Sequence, residues 1–277
     1  MNTLKDKWVM ITGASSGFGA AAARAFGAEG SRLLLGARRV DRLQEVAAEA
    51  RRAGAPAAHF HALDVSKTVS VNAFVAWARQ TVTEHQSSVT SNQLSVISNQ
   101  SPNVRLDVLI NNAGGAHGLD TVAAGKDADW ETMLQSNVLG ILRMTRAALP
   151  LMLDNPGSSL INIGSFAGHV AYEGAAAYCA AKAGERQITR ALRLELNGTG
   201  IRVSTVDPGL AETEFSVIRF KGDLARAKKA YEGTHPLVAE DIADILVWVA
   251  SRPPRLRKSK QRSGVTGASV SVTRTSR

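Results

Sequence analysis

The chain has 277 residues, of which 44% are hydrophobic, and a chain of this kind can bury one sizeable core. Its single cysteine, Cys179, excludes an intramolecular disulfide and a cysteine-based metal site. The net charge of +9 comes almost entirely from residues 252–277, which hold eight Lys or Arg and no acidic residue, while the other 25 basic residues face 24 acidic ones. Because the excess charge lies at one end, we expect no specific nucleic-acid partner.

Short apolar runs alternate along the chain with Ala-rich segments of helical length. The apolar runs predict strands over 8–12, 32–36, 58–63, 106–110, 159–163 and 201–206. The segments between them predict helices over 18–29, 40–53, 70–84, 128–153, 176–197 and 239–250. This alternation predicts an α/β fold of one domain, a Rossmann-like doubly wound parallel sheet in three α/β/α layers.

Two segments interrupt the alternation. Residues 85–104 are rich in Ser, Asn and Gln and contain two similar heptads, which predicts a low-complexity insertion forming an exposed loop. Residues 255–277 form a basic tail that we expect to be irregular, with one possible edge strand over 264–273. The prediction is therefore a nucleotide-binding domain over 1–254, followed by the tail.

Membrane and metal partners are not expected. No apolar run approaches the roughly 18 residues of a membrane span, and the N-terminus has no apolar signal core, so the expected location is the cytoplasm. His59 and His61 lie two apart on a predicted strand and could share a face. We interpret them as partly exposed strand residues, and no metal site is predicted.

A glycine-rich turn follows the first predicted strand and opens the first helix, in the run Thr12-Gly13-Ala14-Ser15-Ser16-Gly17-Phe18-Gly19. The glycines allow the backbone to approach a ligand closely, and a helix N-terminus offers N–H groups to a pyrophosphate. This context favours dinucleotide binding, the alternative being a tight turn without a ligand.

The second strand is followed by Arg38 and Arg39, where an acidic residue would select NAD through the ribose hydroxyls. A guanidinium matches the charge and geometry of a 2′-phosphate, which favours NADP(H) as the cofactor. In the alternative interpretation both arginines are solvated, with Asp41 as a local partner.

A set of motifs in fixed order identifies the family. The sequence TGASSGFG, Asp64 in LDV, NNAGG over 111–115, Asn137, Ser165, Tyr178-x-x-x-Lys182 and Pro208-Gly209 resembles the short-chain dehydrogenase/reductase family over residues 8–251. Any one motif could be accidental, whereas the ordered set is specific.

Tyr178 and Lys182 are four residues apart on a predicted helix and therefore share a face. A nearby ammonium favours the ionised form of a tyrosine, so Tyr178 could exchange a proton with a carbonyl or alcohol oxygen. Ser165 follows the fifth strand, where it can hydrogen-bond the same oxygen. An ordinary surface pair is the alternative for the tyrosine and lysine.

The resemblance implies further roles. Lys182 would also hold the nicotinamide ribose, and Asn137 would kink its helix and keep a water in a proton relay. Asp64 would meet the adenine, and Thr213 the nicotinamide carboxamide. The cofactor-binding set implied is Gly13, Ser15, Ser16, Gly17, Phe18, Gly19, Arg38, Arg39, Asp64, Val65, Asn111, Ala113, Gly114, Tyr178, Lys182, Pro208, Gly209 and Thr213.

Residues 207–223 and 231–237 are similar to the NADP-dependent 3-hydroxy acid dehydrogenase branch, which includes serine 3-dehydrogenase and L-allo-threonine dehydrogenase and acts on malonic semialdehyde. The resemblance implies a substrate lid here. Arg219 and Lys221 could then place positive charge over a substrate carboxylate, with Ser165 and Tyr178 at its reacting oxygen. In the alternative interpretation, Arg219 and Lys221 are exposed charges on the lid and do not bind the substrate carboxylate.

The resemblance also implies a homo-oligomer, a dimer or tetramer, with the helices over 128–153 and 176–197 at the subunit interface. The insertion should emerge at the edge of the sheet opposite the cofactor. Two alternatives to a 3-hydroxy acid dehydrogenase stay open: a short-chain carbonyl or 3-oxoacyl reductase, and an NADP-binding homologue without catalysis.

Overall fold

The computed structural model describes residues 3–90, 104–253, 259–261 and 269–273. The strands are β1 (Trp8–Thr12), β2 (Arg32–Ala37), β3 (Ala58–Ala62), β4 (Val108–Asn111), β5 (Ser159–Ile163), β6 (Arg202–Asp207), β7 (Ser259–Gln261) and β8 (Ser269–Thr273). The helices are α1 (Gly17–Ala28), α2 (Val40–Ala53), α3 (Thr68–Thr90), α4 (Asp127–Leu134), α5 (Gly140–Ala148), α6 (Ala176–Glu195), α7 (Glu214–Arg219), α8 (Leu224–Lys229) and α9 (Ala239–Ser251).

The strands form one sheet in the order β3-β2-β1-β4-β5-β6-β8-β7. The first six in this order are parallel, which confirms the predicted Rossmann-like sheet. The order reverses between β1 and β4, and a crevice opens beyond their carboxyl ends. The topology therefore brings the segments that follow β1, β4, β5 and β6 to one edge.

Two apolar layers cover the faces of the sheet. Alternate residues of β1 point to opposite sides: Val9 and Ile11 belong to a core shared with α1, α2 and α9. Met10 belongs to a core on the other face, shared with α3, α5 and α6. Since both faces are covered, every residue of β1 and β5 is buried.

The predicted boundaries need three corrections. The helix predicted over 70–84 runs to Thr90, so 85–90 is helical and not loop. His85 packs edge-on against Trp8, at 5.5 Å between ring centroids, and this contact stabilises the additional helical residues. The helix predicted over 128–153 is interrupted by a π-helical turn over Gln135–Leu139. Helices α7 and α8, in the segment expected to form a substrate lid, were not predicted. The remainder of the predicted insertion, 91–103, lies outside the described residues.

The tail contains two short strands where an irregular segment with one possible strand was predicted. β8 lies within the predicted range 264–273 and pairs antiparallel with β6. β7 pairs antiparallel with β8, so the sheet ends in an antiparallel edge. The division of the chain at residue 254 stays a prediction. Within the described residues, no helix is long and apolar enough to cross a membrane.

Candidate active site

One large cleft, with a volume of about 1340 Å³, opens at the carboxyl edge of the parallel strands. The glycine-rich turn after β1 and the arginines after β2 form one end of its lining. Ser165 after β5, Tyr178 and Lys182 on α6, and the lid residues form the other. Segments far apart in the sequence thus meet around a single space.

The glycine-rich turn is packed against the segment that follows β4. Gly13 has a φ of +66°, and a Cβ on it would lie 2.8 Å from the Cα of Ala113. Asn112 holds the two segments together, because its Nδ2 donates to the carbonyl oxygens of Thr12 at 2.9 Å and Gly13 at 3.1 Å. A larger residue at position 13 would force the turn away from β4.

Three charged side chains lie near the end of β2. Arg38 is exposed and lines the cleft. Arg39 donates through Nη2 to Ser16 Oγ at 2.7 Å and to Glu214 Oε2 at 2.8 Å. Partial burial raises the pKa of Asp64, but the hydrogen bonds from Ser66 and the positive charges of Arg38 and Lys67 together lower it more, and the net direction is downward. The cleft therefore ends in two guanidinium groups beside an ionised carboxylate.

Helix α6 carries the proton-exchanging candidate. Tyr178 is 7% exposed, lines the cleft and packs against Phe215 with ring centroids 5.6 Å apart. Ser165 lines the same cleft, and its Oγ caps a short 3-10 turn by accepting from Ala167 N at 3.1 Å. The hydroxyl groups of Ser165 and Tyr178 thus border one space.

Two hydrogen-bond acceptors hold the ammonium group of Lys182 on the side away from the cleft. Its Nζ donates to the carbonyl oxygen of Ile163 at 2.7 Å and to Glu185 Oε2 at 2.8 Å. Burial by itself lowers the pKa of Lys182, but the charge and hydrogen bond of Glu185, together with Tyr178 and Asp207, outweigh it, and the net direction is upward. Lys182 is therefore an ammonium at neutral pH, with its third hydrogen left for the cleft.

Arg219, on the lid, reaches over the tyrosine. It is 8% exposed, and its Cζ lies 5.7 Å from the centre of the Tyr178 ring and 5.5 Å from that of Tyr172. Its Nε donates to Gly118 O and its Nη1 to the Tyr172 hydroxyl, both at 3.0 Å. Its Nη2 is buried without a hydrogen-bond partner in the described structure. An anion in the cleft could satisfy this donor.

Asn137 lies in the π-helical turn between α4 and α5. Its Nδ2 donates to Gly115 O and Met133 O, both at 2.8 Å, and its Oδ1 accepts from Gly115 N at 3.1 Å. The side chain therefore ties the loop after β4 to this helix. A π-helical turn lies where the kink at Asn137 was expected, and both of its amide hydrogens are engaged by carbonyl groups.

Comparisons with known proteins agree with this geometry. The family model for short chain dehydrogenase matches residues 7–222. The chain belongs to the short-chain dehydrogenase family. A sulfoacetaldehyde reductase of Chromohalobacter salexigens is 39% identical over 249 residues, which cover 90% of this chain and 89% of the relative.

Two further relatives are similar to this short-chain dehydrogenase over nearly its whole length. An NADP-dependent 3-hydroxy acid dehydrogenase of Salmonella typhi is 39% identical, covering 88% of this chain and 89% of the relative. Among solved structures, the closed form of a serine dehydrogenase complexed with NADP+ is 35% identical with a TM-score of 0.76, covering 90% of this chain and 91% of the other.

Most of the predicted site residues of this short-chain dehydrogenase line the cleft. Those that do are Gly13, Ser15, Ser16, Gly17, Phe18, Arg38, Arg39, Asp64, Val65, Ala113, Gly114, Ser165, Tyr178, Lys182, Pro208, Gly209, Thr213 and Arg219. Gly19 lies beneath the turn, where a Cβ would strike the Gly13 carbonyl oxygen. Asn111 is buried and donates to Asn162 Oδ1 and Thr145 Oγ1, so its side chain braces the sheet.

The two basic residues predicted to lie over the substrate, Arg219 and Lys221, occupy different places in the structure. Arg219 is turned inward, whereas Lys221 Nζ pairs with Asp129 on α4 at 2.8 Å and does not line the cleft. Four further residues at the site, Asn112, Tyr172, Glu185 and Glu214, were not predicted. Two of them had a local signal: Asn112 lies within the NNAGG motif, and Glu185 lies three residues after Lys182 on the same helix.

Proposed function

We propose that this short-chain dehydrogenase transfers a hydride between NADP(H) and a small 3-hydroxy acid or its 3-oxo acid, of the serine, allo-threonine or 3-hydroxypropionate type. The single observation that carries the substrate class is the unpaired, buried Nη2 of Arg219 above the Tyr178 ring. An acid with its hydroxyl on the third carbon can place the carboxylate at Arg219 and the reacting oxygen at Tyr178. The relatives named as NADP-dependent 3-hydroxy acid dehydrogenases support this choice.

The cleft fits a phosphorylated dinucleotide. The turn over residues 12–19 presents open backbone at the N-terminus of α1, where a pyrophosphate would bind, and Arg38 with Arg39 would hold the 2′-phosphate. Asp64 and Val65 would border the adenine, while Lys182 and Thr213 would hold the nicotinamide end. NADP(H), when bound, supplies or accepts the hydride.

The chain's own residues would handle the proton. Tyr178 would give its hydroxyl proton to the substrate oxygen during reduction and take it back during oxidation. Ser165 would donate a hydrogen bond to the same oxygen and stabilise its developing charge. The Lys182 ammonium would favour the ionised form of Tyr178, because opposite charges attract strongly in a buried site.

A substrate screen with purified protein and NADP+ tests the proposal by the absorbance of NADPH. We expect turnover of L-serine, L-allo-threonine or 3-hydroxypropionate, and Tyr178→Phe should lose roughly 10²–10⁴-fold in kcat. Lys228→Ala, an exposed lid variant, serves as the control. Turnover of an acetoacetyl thioester alone would indicate a 3-oxoacyl reductase. NADP+ binding without turnover of any substrate would indicate a non-catalytic homologue.

A sulfonate-bearing aldehyde is a second candidate substrate. Arg219 Nη1 donates to the Tyr172 hydroxyl at 3.0 Å, which leaves the hydroxyl hydrogen of Tyr172 and the Nη2 of Arg219, unpartnered within the described residues, as donors for a sulfonate. Two sulfoacetaldehyde reductases are 39% and 37% identical to this chain. Comparing kcat/KM for sulfoacetaldehyde and malonic semialdehyde with NADPH decides between the two anions.

A homo-oligomer built on α4, α5 and α6 stays part of the proposal. Leu134, Leu139 and Leu142 are 44%, 37% and 42% exposed on the α4–α5 segment, which supports an interface there. Light scattering after size-exclusion chromatography would give the mass, and Leu142→Glu should reduce it if this segment is buried between subunits. The cytoplasmic location stays a prediction.

A further inference from the structure

Glu185 is a buried carboxylate directly beneath the proposed proton-exchanging residues. It has no exposed surface, and it lies one turn after Lys182 on α6. One of its oxygens, Oε2, is 2.8 Å from Lys182 Nζ, and the other, Oε1, is buried without a hydrogen-bond partner in the described residues. Burying such a group destabilises a fold unless a charge compensates it, so its chief partner is the lysine.

The groups that face Glu185 are few. Lys182 is on its own helix, and Asp207 at the end of β6 is the further charge that acts on Glu185. Asp207 accepts a hydrogen bond from Thr205 Oγ1 at 2.7 Å and lies 2.9 Å from His169 Nε2. Burial, above all, raises the pKa of Glu185 to about 7; Lys182 lowers it and Asp207 raises it further. The charge on Glu185 therefore changes within the neutral range.

We propose that Glu185 is the positioning residue for Lys182: its carboxylate fixes the ammonium beneath the cleft and offsets its charge, and so sets the pH range in which Tyr178 exchanges its proton. This inference rests on the proposed function of Tyr178. Lys182 Nζ has three hydrogens, of which Ile163 and Glu185 orient two, and the third is then directed to the cleft. When Glu185 is ionised, the lysine and glutamate together are close to neutral. When it is not, the full positive charge acts on Tyr178.

The test is Glu185→Gln, which keeps the size and an acceptor oxygen and removes the charge. We expect the ascending limb of the pH profile of kcat for alcohol oxidation to move to lower pH by about one unit, since the negative charge that offsets the Lys182 ammonium is gone. In Glu185→Asp, which retains the charge, the ascending limb should stay nearer to that of the unmodified enzyme. Glu195→Gln, an exposed position on the same helix, is the matched control.

A measurement without turnover separates this inference from the proposed function. In the protein without added cofactor, the ultraviolet absorbance of tyrosinate can be titrated, and subtracting the Tyr178→Phe titration isolates the signal of Tyr178. The same shift to lower pH is expected in Glu185→Gln. A profile and a titration that are unchanged, or that move to higher pH, would overturn the role of Glu185, whereas a normal titration in a protein without turnover would overturn only the proposed function.

Discussion

Arg39 and Glu214 join the glycine-rich turn to the substrate lid. Arg39 Nη2 lies 2.8 Å from Glu214 Oε2 and 2.7 Å from Ser16 Oγ. Glu214 is the first residue of α7, and the hydrogen bond from Arg39 is the main cause that lowers its pKa. The cation proposed for the 2′-phosphate is therefore already paired with a lid carboxylate, so the phosphate and the lid compete for it.

Removing that competition should strengthen NADP+ binding. Glu214→Gln is expected to lower the Kd for NADP+ by about two- to fivefold, because an exposed ion pair of this kind contributes only modestly. The Kd for NAD+, which lacks the 2′-phosphate, should change little. Fluorescence titration with both cofactors measures the effect, and Glu232→Gln, an exposed lid carboxylate, is the control. Weaker NADP+ binding in Glu214→Gln would show that the pair assists the phosphate.

The cofactor preference should depend on the two arginines after β2. Arg38→Ala and Arg39→Ala are each expected to weaken NADP+ binding by roughly ten- to a hundredfold, because hydrogen bonds to charged groups contribute about 1.5–3 kcal/mol. NAD+ binding should be nearly unaffected. Kd values for both cofactors at two salt concentrations provide the measurement. Equal losses for NAD+ and NADP+ would contradict a role at the 2′-phosphate.

Binding of the substrate carboxylate should depend on the shape of the Arg219 side chain as well as on its charge. Arg219→Lys keeps the charge and loses the guanidinium fork that reaches Gly118 and Tyr172 together. We expect kcat/KM for the hydroxy acid to fall by roughly ten- to a hundredfold, mainly through KM. A neutral alcohol substrate should lose much less. An unchanged KM for the hydroxy acid would contradict a role of Arg219 in binding the substrate carboxylate.

The stability of the protein should also depend on the ionisation of Glu185. The folded state raises the pKa of Glu185 from 4.5 to about 7, so the folded protein binds the proton more tightly than the unfolded chain. The stability contributed by the protonated group is present below the unfolded value and is lost as the pH rises towards 7. Relative to the unmodified protein, Glu185→Gln should gain on the order of 2 kcal/mol in free energy of unfolding between about pH 5 and about pH 8.

Melting temperatures of the two proteins across this range measure the difference. Groups that titrate alike in both proteins cancel when the Tm of the unmodified protein is subtracted from that of the variant. The Tm difference should rise with pH. A difference that is flat, or that falls as the pH rises, would show that the fold does not favour the protonated carboxyl.

The sequence by itself determined the sheet, the family motifs and the chemistry they imply. Apolar runs such as 8–12 and 159–163 and the glycine spacing after β1 are local features, set by the period of a strand and by the space that a turn needs. Tyr178 and Lys182 share a face because the helical repeat puts residues four apart together. These features depend on near neighbours in the chain and are visible without a fold.

The tertiary structure alone decided which charges face the cleft. Arg219 and Tyr172 are 47 residues apart, and Arg39 and Glu214 are 175 apart, so their pairing depends on how the sheet brings its carboxyl ends together. The sequence offered both Arg219 and Lys221 as positive charges over a substrate carboxylate and favoured Arg219 for its fork, but it could not show that Arg219 is buried over the tyrosine while Lys221 pairs with Asp129. The sequence shows that Glu185 lies one helical turn from Lys182. Its complete burial follows only from the packing of α6 on the sheet, because desolvation depends on everything that surrounds a charge.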